Sequence, residues 1–282
     1  MKTDIVIAGC GVSGLYCALN LPKDKQILII TKDEAEKSDS FLAQGGICVL
    51  KSDDDYDSFF EDTMRAGHYE NRKESVDIMI RSSREVINDL VGYGVDFEKE
   101  NGEFVYTKEG AHTHNRILFH EDETGKEITS HLLEAARSRE NITIVENYTM
   151  VDLICENNEC RGIIGHDENG TFSAIQADYT VLATGGIGGI FEHSTNSQQM
   201  TGDDIALALK YGIKLQHIDY IQIHPTTLYT EKSGREFLIS ESVRGEGAVL
   251  LNSKGQRFVN ELLPRDVVAN AIFAEMKKEG TK

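Results

Sequence analysis

Residues 4–31 read DIVIAGCGVSGLYCALNLPKDKQILIIT. The run DIVIA is apolar and short, suited to a strand buried on both faces, and GCGVSG follows it at once. LYCALNL then has helical spacing, and a second apolar run closes at Thr31. Strand, G-x-G-x-x-G, helix, strand in immediate succession is the dinucleotide-binding unit of a parallel α/β sheet. Gly9 is expected to make the tight turn, Gly11 to let the backbone approach a pyrophosphate, and Gly14 to let helix pack on strand. Val12 and Ser13 open the helix, whose free N–H groups and dipole favour an anion. The second strand lacks the usual terminal carboxylate for a ribose and ends Thr31-Lys32. Thr31 is therefore the expected ribose contact, with Lys32 near the phosphates.

The stretch SDSFLAQGGICVL (38–50) supplies a second glycine clamp. Paired Gly45 and Gly46 let backbone amides lie against a flat ring, and Gln44 can reach its edge. A flavin needs such a clamp early in the chain; a nicotinamide does not. Farther on, 76–94 and 127–138 read as helices, and 142–186 as an antiparallel meander whose last strand, YTVLATGG, returns to the parallel sheet. A capped helix follows over 195–212, with Asp203 or Asp204 at its start. Near Gln216 the pattern turns to loops and isolated polar residues. The predicted fold is α/β: an FAD-binding, Rossmann-like parallel sheet with an antiparallel β-meander over 1–217, then an incomplete α+β capping domain over 218–282.

Lys and Arg total 29 against 47 Asp and Glu, a formal charge of -18 over 282 residues. Such a chain repels phosphate backbones and anionic lipid, so neither nucleic acid nor membrane is an expected partner. No segment approaches the roughly 20 apolar residues of a membrane span. The cysteines show no zinc spacing, and no metal is expected. These features, with an N-terminus that runs straight into a strand, predict a cytoplasmic protein. DDDYDSF (53–59) begins like a calcium loop, but Ser58 stands where glycine is required and Met64 where the bidentate glutamate belongs. It reads as a solvated acidic turn.

Hydrogen-bonding side chains concentrate in EGAHTHNR (109–116) and from residue 220 onward. GCGVSGLYCAL, SFLAQGGI, EGAHTHNRIL, LATGGIGGIF, TGDD, IQIHPTTLY, SVRGEGAVLLN and LPRDVV occur in this order. With them the chain resembles the L-aspartate oxidase family, within the succinate dehydrogenase/fumarate reductase flavoproteins. The resemblance implies FAD as cofactor, held without a covalent bond because Asp39 stands where succinate dehydrogenases carry the flavin-linked histidine. It implies oxidation of L-aspartate to iminoaspartate by hydride transfer to flavin N5, the first step of NAD biosynthesis. Oxygen or fumarate would reoxidise the flavin, and a quinolinate synthase would be a partner.

Residue by residue, the likeness makes Arg265 the catalytic proton-transfer group and anchor. His224, Ser240, Glu241 and Arg244 form a wall for the substrate carboxylates. Ser40, Phe41, Ala43, Thr184, Gly185, Asn196 and Asp203 join the glycine motifs as cofactor contacts. Glu109 answers to the substrate ammonium. A pocket of arginines built for a dicarboxylate would repel that group, and a carboxylate at its edge offsets the repulsion by about 1–3 kcal/mol. His114 and Arg116 are expected to shape the loop, and His112 and His120 to be surface residues. Members of the family run longer, so the chain is expected to be an N-terminal portion. Two other readings remain: a fumarate reductase or succinate dehydrogenase flavoprotein, and a non-catalytic FAD-binding protein.

Overall fold

The computed structural model describes residues 1–231 and 234–281. The chain divides into two compact units, each assembled from separate segments. The first takes 1–43, 125–218 and 230–236; the second takes 44–124, 219–229 and 237–282. Both units are discontinuous in sequence, and one crossover between them falls at Ile218–Asp219. Residues 44–124 group with the late segments, and Leu50, Phe59, Met64, Val76 and Ile80 of this stretch close a core.

The first unit is built on a six-stranded sheet. Its strands are β1 (Lys2–Ala8), β2 (Ile27–Ile30), β3 (Ile142–Val145), β4 (Thr149–Glu156), β5 (Glu159–His166) and β6 (Phe172–Leu182). They lie in the order β3-β2-β1-β6-β5-β4. β3, β2, β1 and β6 run parallel, while β6, β5 and β4 form the antiparallel meander. The long β6 joins the two halves: Gln176 is opposite both Lys2 of β1 and Gly162 of β5. A parallel strand is covered on both faces, which is why β1 and β2 read as unbroken apolar runs. Val6, Ile7 and Ile29 are fully buried.

Two glycines of the motif have no substitute. Gly9 has φ +117°, and a Cβ there would lie 2.0 Å from the Ala183 carbonyl oxygen at the end of β6. A Cβ on Gly14 would lie 2.0 Å from the Gly9 carbonyl oxygen, so the helix Val12–Asn20 could not seat on β1. Of the two later helices of this unit, Asp203–Lys210 falls within the segment read as helical, and Thr124–Arg137 starts three residues before the one expected over 127–138.

In the second unit, helices Tyr56–Ala66 and Lys73–Gly92 pack on each other through Phe59, Met64, Val76 and Ile80. A short antiparallel pair, Ile47–Cys48 with Ile117–Leu118, carries the chain toward the loop at 109–116. The DDDYDSF stretch is not the solvated turn expected from sequence. Asp55 is buried, and both its carboxylate oxygens accept from Arg116, at 2.8 and 3.0 Å. The last helix, Arg265–Glu279, starts after Pro264 and ends at Gly280 with φ +68°. No helix among the described residues is long and apolar enough to cross a membrane.

Candidate active site

Chemistry-bearing residues gather in two places, one in each unit. In the first unit a groove of about 340 Å³ opens along the carboxyl ends of β1, β2 and β6. This is where a parallel α/β sheet offers its strand ends and helix N-terminus to a ligand. Gly9, Gly11, Val12, Ser13, Thr31, Lys32, Ser40, Thr184, Gly185 and Asp203 line it, ten of the residues expected at the cofactor. Gly14 lies beneath the turn.

Within the groove some expectations change. Lys32 is committed to Asp203 at 2.8 Å and to Thr201 Oγ1 at 2.7 Å. A lysine that already neutralises a carboxylate is a weaker partner for phosphate, while Asp203 gains a fixed position. Ser40 Oγ accepts the Val12 N–H at 2.9 Å, and so stands over Gly11 at the helix start. Asn196 donates to Asp39 at 2.7 Å, and the Ser197 N–H donates to its other oxygen at 2.8 Å. Asp39 thereby ties down the 196–197 loop. Asn196, Phe41 and Ala43 belong to this unit but do not line the groove; the Ala43 carbonyl accepts the Gly125 N–H at 2.9 Å.

The groove fits a dinucleotide. The hydroxyls of Ser38 and Thr184 are buried without a hydrogen-bond partner, which is costly unless a ligand supplies one. Gly9, Gly11 and Gly185 also leave backbone, not side chain, along its floor.

In the second unit a cavity of about 1170 Å³ is lined by Cys48, Glu109, His112, Gln222, Glu241 and Arg265, among others. Arg265 is its only arginine or lysine among the described residues. Its Nε donates to Glu241 at 2.5 Å and its Nη1 to Gln222 at 2.7 Å. Gln222 was not singled out from sequence, although it stands two residues before His224 in the same motif. Two glycines make room for the carboxylates. A Cβ on Gly45 would lie 3.0 Å from Glu109 Oε1, and one on Gly110 would lie 2.8 Å from Glu241 Oε1. Gln44, Gly45 and Gly46, expected at a flavin ring, thus fall in this unit beside Glu109, and the Gly46 N–H donates to that carboxylate.

Burial, then the neighbouring Glu241, pushes the Glu109 carboxyl above the usual glutamate range, against the pull of Arg265, Gly46 and Arg244. His224, Ser240 and Arg244 do not line the cavity. Burial, with Arg265 second, pushes His224 down to about 4, so its imidazole is neutral near pH 7. Its Nδ1 faces the Thr226 backbone at 3.0 and 3.2 Å. Ser240 caps the short helix Glu241–Gly245, accepting from the Ser242 N–H. Arg244 is buried; its Nη1 donates to the Glu261 carbonyl at 2.8 Å and its Nη2 lies 3.5 Å from Glu241. Nε and Nη2 have no hydrogen-bond partner. His112, read as a surface residue, is half-buried with Nε2 at 3.3 Å from Cys48 Sγ.

Comparison with known proteins places the chain in a family. The FAD-binding domain family matches residues 4–282. The chain is 48% identical over 276 residues to an L-aspartate oxidase of Clostridium perfringens, covering 98% of this chain and 63% of the relative. It is 46% identical to an L-aspartate oxidase of Clostridium acetobutylicum, covering 100% of this chain and 65% of that one. The chain therefore spans under two thirds of these relatives' lengths. Among solved structures, a quinol fumarate reductase of E. coli superposes with TM-score 0.91 at 26% identity, over 99% of this chain and 51% of that one. Sdh1 of Mycobacterium smegmatis gives TM-score 0.83 at 32% identity, over 98% and 50%. Matched from its first strand onward, and with the glycine-floored groove that such a cofactor requires, the chain belongs to the FAD-binding domain family.

Proposed function

We propose that this chain serves the FAD-dependent oxidation of L-aspartate to iminoaspartate, the opening step of NAD biosynthesis, with oxygen or fumarate as final acceptor. The observation that carries the reading is the wall of the second-unit cavity, where one guanidinium, Arg265, stands with the half-buried carboxylate of Glu109. A succinate pocket needs only cations and neutral donors. A carboxylate retained at the cost of burial suits a ligand that also carries a cation.

Gly9, Gly11, Val12, Ser13, Thr31, Ser40, Thr184, Gly185 and Asp203 would hold the dinucleotide part of FAD, and Gln44, Gly45 and Gly46 would approach its ring. Bound FAD supplies a two-electron acceptor. Arg265 anchors a substrate carboxylate and exchanges a proton beside the reacting carbons. Glu241 aims the Arg265 guanidinium through a 2.5 Å bond. Arg244, behind Glu241, keeps the region from accumulating negative charge, and His224, outside the cavity lining, adds no charge near pH 7. Glu109 binds the ammonium. The likeness to L-aspartate oxidases and to fumarate reductases supports both halves of this assignment, and a quinolinate synthase is the consumer of the product that it implies.

The test is the visible spectrum of the FAD-loaded chain under anaerobic conditions. L-Aspartate is expected to bleach it and succinate to leave it yellow. A spectrum unchanged by L-aspartate would count against the reading. A fumarate reductase reading is favoured by the 0.91 superposition, and Glu109→Gln separates the two. This change is expected to raise KM for L-aspartate by roughly 5- to 150-fold, the equivalent of 1–3 kcal/mol, and to leave fumarate reduction within about twofold. Equal losses on both substrates would remove the ammonium role. The pH dependence has a definite sign. Only ionised Glu109 attracts ammonium, so L-aspartate binding weakens as pH falls through its raised pKa, while fumarate binding lacks that step.

A further inference from the structure

Glu109 sits on a loop, and loops hold a side chain loosely unless something fixes them. Here the loop is fixed from the helix Tyr56–Ala66. The buried Asp62 carboxylate accepts four donors: the Thr113 N–H and hydroxyl, both at 2.8 Å, Arg116 Nη1 at 2.7 Å and Arg65 Nη2 at 2.6 Å. Three of these donors converge on Oδ2 and one meets Oδ1. Arg116 is completely buried and takes Asp55 on its other edge, with Nη2 also donating to Ser58 at 2.9 Å. The Ala111 N–H donates to the Leu262 carbonyl at 3.1 Å, and Ala111 has φ +66°. A residue with a Cβ keeps that conformation only where its surroundings over-determine it.

We propose that Asp62 and Arg116 are positioning residues that set the selectivity for an amino dicarboxylate over its unaminated analogue, by holding the 109–116 loop so that Glu109 meets the ammonium. The proposal rests on the reading of Glu109 given above. Arg116 lies outside the cavity lining; Asp62 borders the cavity, but its carboxylate is engaged by Thr113, Arg116 and Arg65. Two carboxylates and a guanidinium buried together are no more stabilising than apolar side chains of the same volume. What they add is direction, because each hydrogen bond fixes the loop backbone to within a few tenths of an ångström. An ion pair is sensitive to such displacement, whereas the carboxylate contacts common to both ligands come from other segments.

The experiment is anaerobic calorimetric titration of the chain loaded with reduced FAD, on which L-aspartate can bind without being oxidised. It is run with L-aspartate and with succinate, for the unmodified protein and for Glu109→Gln, Asp62→Asn and Thr113→Val, with melting curves for each. Asp62→Asn is expected to lower the aspartate-to-succinate affinity ratio at least about fivefold, and Thr113→Val about two- to threefold, with succinate binding within about twofold. A structural role alone would lower the melting temperature and leave the ratio unchanged; that result overturns the proposal. So does an equal loss for both ligands. If Asp62→Asn fails to fold, Thr113→Val decides alone. An unmodified protein that shows no preference, with Glu109→Gln no different, refutes the ammonium reading itself and the proposal with it. A preference lost in Glu109→Gln but intact in Asp62→Asn and Thr113→Val refutes the positioning proposal alone.

Discussion

Replacing Arg265 by methionine is expected to lower kcat/KM for L-aspartate by roughly 10²- to 10³-fold, a loss of about 2.7–4 kcal/mol. Methionine keeps much of the length and removes the charge. Two effects add. The cavity loses its one guanidinium, so Glu109 and Glu241 are left to repel a dicarboxylate. Glu241, 6% exposed, also loses its 2.5 Å partner and keeps only the 3.5 Å contact with Arg244. Arg265→Lys restores charge without the planar fork, and should recover carboxylate binding better than turnover. A separate readout is His224. Arg265 is the second cause holding its pKa down to about 4, after burial. In the methionine variant the imidazole should titrate at higher pH, though still below 6.5, which NMR of its ring protons would follow. Turnover within threefold of the unmodified protein would take Arg265 out of the reaction.

The sequence carried the fold well where local chemistry dictates it. Gly9 and Gly14 are required by contacts with Ala183 and with Gly9 itself, so the turn, the helix and the pairing of β1 with β6 could be read from spacing. Its limits lie where residues far apart meet. Asp55 and Asp62 reach Arg116 across 61 and 54 positions, and three aspartates in a row look solvated when that partner is unseen. The same holds for Lys32 and Asp203, each assigned to the cofactor but paired with one another. The assignment of 44–124 to the second unit had no signal either. The chain passes between units at Ala43-Gln44, inside a motif whose paired glycines read as a cofactor clamp and not as a linker. The site residues were nonetheless legible as types. Glu109, Glu241 and Arg265 line one cavity, where Gly45 and Gly110 clear space for the two carboxylates.

Arg116→Met is expected to cost about 3–5 kcal/mol of folding stability, read as a fall in the urea midpoint at pH 7. Arg116 has no exposed surface, and its guanidinium also lies 4.9 Å over the Phe59 ring. Its removal takes the buried guanidinium from two carboxylates that are 7% and 4% exposed, leaving Asp55 with His114 and Asp62 with Thr113 and Arg65. An under-compensated buried charge is among the few single changes with so large an effect. The pH dependence follows from the same pair. Burial alone would raise both carboxyls, but hydrogen bonds to Arg116, to His114 at Asp55 and to Thr113 at Asp62 outweigh it, so both lie below 3.8. A depressed folded pKa gives stability that is complete above the unfolded value and lost as pH falls through the folded one. The unmodified protein should therefore hold this contribution at pH 5 and lose it below 3.8. In Arg116→Met the two carboxyls bind protons at higher pH, which removes their charge, so the gap between the proteins should narrow steadily from pH 7 to pH 4. Adding Asp55→Asn and Asp62→Asn to Arg116→Met should recover part of the loss at pH 7, since no buried charge is then left over. A gap that stays constant across that range would mean that packing around Arg116, not its charge, holds the helix Tyr56–Ala66 to the 109–116 loop.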